Sequence, residues 1–344
     1  HLGLSSRIPG FKSRREHQLF LHFFISTISY MGAEMLKHMG SQNLQKSMAI
    51  AMFGGIVVSF APILYAISDA NPLTGAFFRM LYALPFLLII ILFRKAKDSR
   101  STNTRLIAVI AGFAFSLDFL AYHSTVDWIG TGIGTLIGNS QVIIVTLVSW
   151  WLFGERPNLS ILICLPIVMF GLILISGVLD DDPYGEHPVR GVIAGVFTAI
   201  FYSLFLIIYR FANRELAPAV NLQFDSTAGC ALGLVILSFL PLQSIHVEPI
   251  DFQPSVPMHG WLLALAILSQ VIGWLAIAHS LPRLPAAYTS FAILLQPTLT
   301  IVWGILLLSE SPSLQQAIGM FLILGSIIAV TVYGAVDDKD SKSV

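Results

Sequence analysis

Residues 130–157 read GTGIGTLIGNSQVIIVTLVSWWLFGERP, and residues 285–312 read PAAYTSFAILLQPTLTIVWGILLLSESP. A constant offset of 155 pairs Gln141 with Gln296, Leu152 with Leu307, Glu155 with Glu310 and Pro157 with Pro312. Each copy is a helix-length apolar run with one glutamine near its middle and a Glu-x-Pro turn at its end. An internal repeat says more about architecture than any local motif. This one predicts a chain built from two copies of one unit.

The residues around both copies fix the solvent. The chain is 56% hydrophobic and 11% charged, with a mean hydropathy of +0.79. Soluble domains carry about 25% charged residues, so the composition predicts an integral, all-α membrane protein embedded in a lipid bilayer, with no nucleic-acid partner. Runs of about 17 to 25 apolar residues mark candidate spans. They fall at 48–68, 75–93, 106–122, 130–151, 159–178, 189–209, 221–240, 260–278, 286–308 and 314–336, giving ten expected transmembrane helices. Five belong to a first unit at 48–178 and five to a second at 189–336, with an external linker at 179–188 and a tail at 337–344. Met48 is a natural start for the first helix, and residues 1–47 read as an interfacial, disordered or upstream-translated extension. Cys164 and Cys230 lie inside apolar runs and read as small buried hydrophobes.

Charge orients the spans. If the first enters from the cytoplasm, seventeen of the nineteen Lys and Arg residues fall on the cytoplasmic side, with Arg190 outside and Arg79 within a helix. That bias predicts two cytoplasmic termini in a plasma (inner) membrane. Because five is odd, the second unit enters from the opposite side, which is an inverted-topology repeat. The linker sequence DDDPYGEHP clusters Asp180, Asp181, Asp182, Glu186 and His187 without the ordered spacing of a calcium loop, and reads as a solvated loop.

Three stretches carry a family resemblance: FFRMLYALPFLLIIILFRK, SWWLFGERPNLSILICLPIVMFGLILI, and LLQPTLTIVWGILLLSESPSLQQAIGMFLILGSIIAV. Together they resemble the EamA family of the drug/metabolite transporter superfamily, over nearly all of 48–336. The resemblance implies a ten-helix carrier of small metabolites, often an exporter, alternating access between two five-helix halves. The Gly-Glu-Arg element is complete in the first copy and reduced to Ser309, Glu310 and Ser311 in the second.

Gln141 and Gln296 lie ten or eleven residues into their helices, near the bilayer midplane at 1.5 Å per residue. Repeat-built carriers hold substrate there. Asn139 and Ser140 extend the polar cluster, and Pro297 removes a backbone donor beside Gln296. The candidate solute contacts are Asn139, Gln141, Gln296, Arg79, Trp274 and Tyr288; the competing reading of the amides is interhelical glue. Tyr65, Tyr82 and Tyr202 are further aromatics that could stack on a solute or pack in the bundle. Gly130, Gly134 and Gly138 recur every four residues and predict a close-packing face.

Arg79, Asp118 and Asp225 are charges within expected spans, where they face a cavity or one another. Depth suggests an Arg79–Asp118 pair in the outer half and sets Asp225 near the inner surface, and either carboxylate is a candidate for a coupling proton. His123 and His279 read as interfacial, Trp128, Trp150, Trp151 and Trp261 as belt residues, and Glu155 and Glu310 as caps or gates at equivalent turns. The sequence lacks a phosphate loop, HExxH, a cysteine cluster and an arginine ladder, so no cofactor, metal or catalytic role is expected. The leading expectation is a secondary transporter of a small organic solute. The alternative is a membrane sensor or assembly factor that has kept the scaffold without turnover.

Overall fold

The computed structural model describes residues 42–94, 98–153, 159–212, 218–242, 247–280 and 286–340, and among these the regular elements are helices. In the first copy they are α1 (Gln42–Ser59), α2 (Ala61–Ser68), α3 (Pro72–Arg94), α4 (Thr102–Ile129), α5 (Thr131–Asn139), α6 (Gln141–Phe153) and α7 (Leu159–Ile175). The second copy has α8 (Pro188–Ala212), α9 (Ala219–Ser238), α10 (Val256–Leu265), a π-helical stretch (Ala266–Gly273), α11 (Trp274–Ser280), α12 (Ala286–Leu308) and α13 (Leu314–Asp340).

Length and apolar composition suffice for a membrane crossing in six stretches: Gln45–Ser68, Pro72–Arg94, Thr102–Ile129, Pro188–Ala212, Ala219–Ser238 and Val256–Ser280. The other four expected spans are represented by shorter apolar helices, Thr131–Val145, Leu162–Ile175, Leu295–Leu307 and Leu314–Ala329. Boundaries move where hydropathy misleads. The third expected span, 106–122, extends to Ile129 because His123, Ser124 and Thr125 are polar yet buried inside the bundle. The first span begins at Gln42 and breaks at Phe60, just before Pro62, which has no backbone donor to continue the ladder. The second copy covers that break: Thr300 Oγ1 donates to Ser59 O at 3.0 Å and Trp303 Nε1 to Ser59 Oγ at 3.0 Å. The apolar patch at 19–36, the turn at 154–158 with Glu155, and the last residues of the tail lie outside the described residues.

The two copies pack as equivalents. The third span of each lies against the first and second spans of the other, while second faces second, fourth faces fourth and fifth faces fifth. Equivalent spans run in opposite directions. Asn71, just before α3, donates to Pro249 O beyond the end of α9 at 3.1 Å, whereas Arg100, beyond the end of α3, reaches Asp225 near the start of α9 at 2.7 Å. Gln316 at the start of α13 donates to Ile175 O at the end of α7, 3.2 Å away. Large apolar side chains such as Phe53, Ile89, Phe170, Leu232 and Ile236 are exposed, as a lipid-facing surface requires. Cys164 and Cys230 are free and buried.

Candidate functional site

Two apolar clusters build the interior. One gathers Ile129, Leu136, Ile137, Met320 and Ile323 around the fourth and fifth spans, the other Tyr65, Phe78, Phe115, Phe119 and Leu265 around the first three of each copy. Between the copies is a cavity of about 70 Å³, lined among others by Arg79, Asp118, Tyr122, Asn139, Trp274 and Gln296. Four of the six residues expected to contact a solute therefore share one cavity. Gln141 does not line it: Ser140 bonds back to Ile137 O at 3.0 Å, a tighter turn than the α-helix, which separates α5 from α6. The Gln141 carbonyl instead accepts from Ser203 Oγ at 3.3 Å. Tyr288 is on α12, but its side chain falls outside the described residues.

Arg79 is 4% exposed. Its Nη2 donates to Ser269 Oγ at 3.0 Å, and its guanidinium carbon sits 4.5 Å above the centre of the Phe119 ring. Ser269 is supplied by the π-helical stretch, whose extra residue per turn displaces one side chain from the regular helical face. Arg79 Nε has no partner. Asp118 is 6% exposed, and its Oδ1 also has no partner. The two charges lie within Coulombic range, yet no N···O contact within 4.0 Å joins them, so the pair expected from depth is not closed in this conformation.

Helical spacing sets the wall of the cavity. Phe115, Asp118, Phe119 and Tyr122 share one face of α4 at three- and four-residue intervals. Tyr122 Oη and Thr135 Oγ1 are 2.8 Å apart and tie α4 to α5, while Asn139 Nδ2 donates to Thr135 O at 2.8 Å. The glycine face is split between neighbours: a Cβ on Gly134 would meet Thr125 Cγ2 on α4 at 3.1 Å, and one on Gly138 would meet Thr198 Cγ2 on α8 at 3.0 Å. Gly130, at φ +85°, turns the chain between α4 and α5.

Asp225 belongs elsewhere. It accepts from Arg100 Nη2 at 2.7 Å, with Arg105 Nε at 3.6 Å, and Arg100 is held in turn by Asp98 through bonds of 2.9 and 2.8 Å. The Arg100 guanidinium holds the Asp98 carboxyl well below the usual carboxylate range. Arg100 counted as a solvated cytoplasmic charge in the sequence, but its side chain is 1% exposed. Of the two proton-coupling candidates, only Asp118 faces the cavity.

At the opposite end Glu310 accepts from Thr131 N at 2.5 Å, Thr131 Oγ1 at 2.7 Å and Gly132 N at 3.1 Å. A carboxylate from the second copy thus caps the fourth span of the first. Nearby, Tyr65 Oη donates to Asp127 Oδ2 at 3.1 Å and its ring stacks on His123 at 3.8 Å. His123 is fully buried rather than interfacial, its Nδ1 3.2 Å from Pro72 O. Asp127 carried no motif; its place on the same α4 as Asp118 was the one signal available.

The EamA-like transporter family model matches residues 45–177 and again 189–332, one match per copy. This chain belongs to the EamA-like transporter family. Its fold recurs in a solved crystal structure of another protein, with a TM-score of 0.55 over 85% of this chain and 98% of that one, at 17% identity. Among curated proteins no match is found. For an EamA-like chain, a polar cavity between the two copies is where transport chemistry belongs.

Proposed function

We propose that this chain is a secondary active transporter of a small organic solute, with ten membrane crossings that open one central cavity alternately to either side of the plasma membrane. The observation that carries the reading is the cavity: it lies between the copies and holds a buried guanidinium and a buried carboxylate that do not touch each other. Charges so deep in an apolar bundle are costly and mark solute or ion pathways. Antiparallel equivalent spans let one rocking motion of the copies open the site to either side. At about 70 Å³ the cavity has room for roughly two waters, far below the 300 to 1,000 Å³ of a typical ligand site. This conformation is therefore read as a contracted one.

The bias of Lys and Arg assigns both termini to the cytoplasm, which puts the Asp69, Asp127 and Asp251 end outside. Export is the assigned direction and rests on the family resemblance. The test is flux in proteoliposomes of the purified chain. Saturable flux that Arg79→Ala and Asp118→Asn each abolish, in proteins that remain folded, supports the reading. Solute binding with no flux supports a non-transporting sensor on the same scaffold. Flux untouched by both substitutions moves the site away from this cavity.

A further inference from the structure

Arg79 and Asp118 constrain the solute beyond its size. Both side chains are more than nine-tenths buried, both line the same cavity, and each keeps one polar atom, Nε and Oδ1 respectively, without a partner. Arg79 is held from the side by Ser269 and from its face by Phe119, so the guanidinium is fixed without being neutralised. No hydrogen-bond donor reaches Asp118 Oδ1 among the described residues. The site is neutral as a whole but split into a positive and a negative wall.

We infer, resting on the transport reading above, that the solute of this cavity is a compact dipolar ion, carrying a carboxylate and an ammonium or quaternary amine on one small carbon skeleton. A simple anion placed against Arg79 would face the carboxylate of Asp118, and a simple cation against Asp118 would face the guanidinium. A neutral polar solute would leave both charges uncompensated in a low-dielectric site. A dipolar ion satisfies both walls at once: its carboxylate accepts from Arg79 and its cationic end meets Asp118. Tyr122, Tyr202 and Trp274 surround the same space, and aromatic faces are favourable neighbours for the cationic end. The amides of Asn139 and Gln296 are the remaining polar groups on the wall and supply orientation rather than charge.

The experiment uses the full chain and matched probes: glycine, L-alanine, L-phenylalanine and glycine betaine as dipolar ions, propionate as the acid alone and ethylamine as the amine alone. Thermal melts at increasing probe concentration give relative affinities, because a ligand that binds the folded state raises the midpoint by mass action. At least one dipolar probe is expected to raise it, with propionate and ethylamine roughly tenfold to a hundredfold weaker, since each forfeits one charge-assisted interaction. Arg79→Gln and Asp118→Asn are each expected to remove the advantage of the dipolar probe, and Arg79→Lys to keep part of it.

Equal binding of propionate, retained in Asp118→Asn, would show a plain anion site and overturn the inference. Equal binding of ethylamine, retained in Arg79→Gln, or no shift from any dipolar probe, would overturn it as well. The probe series on the unsubstituted chain decides even if a variant does not fold. Flux assays separate the two readings. A dipolar ion that binds without being moved sinks transport and leaves the inference standing. Flux of an anion or cation with which dipolar ions do not compete does the reverse.

Discussion

Removal of the Glu310 carboxylate tests how the two copies are held together at one end of the bundle. Glu310 is 3% exposed and receives three hydrogen bonds from the first turn of α5. That helix has no side-chain cap of its own, because its N-cap is Gly130. The carboxylate fits a slot left by glycines: a Cβ on Gly130 would lie 2.9 Å from Glu310 Oε1, and one on Gly132 would lie 3.3 Å from Oε2. In Glu310→Ala the two backbone N–H groups and the Thr131 hydroxyl lose their acceptor. A buried unsatisfied donor costs roughly 1 to 3 kcal/mol, and fraying of the turn recovers part of the total, so a loss of about 3 to 5 kcal/mol is expected. Glu310→Gln keeps one acceptor oxygen and most of the shape, and should cost about 1 to 2 kcal/mol.

The assay is the melting midpoint of the purified chain by tryptophan fluorescence, compared under identical conditions because unfolding of a chain this size is not two-state. Glu310→Ala should melt several degrees below the unsubstituted chain and Glu310→Gln should fall between them. Burial pushes the Glu310 carboxyl above its usual range, against the pull of its three donors. Below the unfolded value, about 4.3, both states are protonated and the group adds no pH dependence. As pH rises from there through the higher folded value, the unfolded chain ionises first and the folded state loses relative stability. The midpoint advantage over Glu310→Gln should therefore shrink as pH rises towards neutrality. An Ala variant within about a degree of the unsubstituted chain, or an advantage that grows with pH, would refute the reasoning.

Three further outcomes follow from the packing. Breaking the Arg100–Asp225 contact by Asp225→Ala should destabilise by about 3 to 5 kcal/mol because it strands a buried guanidinium, whereas Arg100→Met with Asp225→Leu should cost less; a double-mutant cycle in chemical denaturation measures the coupling. Gln296→Ala should weaken solute binding several-fold while Gln141→Ala leaves it unchanged, because only Gln296 lines the cavity; titration of a bound solute checks both. Gly319→Val should lower the melting midpoint, since a Cβ there would lie 2.6 Å from Gly171 O and force α7 and α13 apart; wedging two packed helices costs about 1 to 3 kcal/mol or more.

Much of the architecture was legible because it depends on repetition and on solvent. The 155-residue offset between Gln141 and Gln296 marked two units, and family matches fall on both. The site was legible in part. Arg79, Asp118, Asn139, Trp274 and Gln296 drew notice as polar or aromatic residues in apolar runs, and they share one cavity. Gln141 has the same sequence credentials as Gln296 and lies off the cavity, because the turn at Ser140 ends α5 before Gln141 begins α6. Hydropathy also misplaced the end of α4, where buried His123 and Thr125 resemble a loop in composition.

The sequence by itself determined the solvent, the repeat and the antiparallel relation of the copies, because apolar content, an offset and the parity of spans are properties of a linear string. Only the tertiary structure decided which charges pair. Asp225 meets Arg100, 125 residues away and outside its helix, while Asp118 and Arg79 face one space without closing on each other. Rotation about a helix axis is free in the string and fixed by packing, and that rotation determines whether a buried charge meets a partner or a solute.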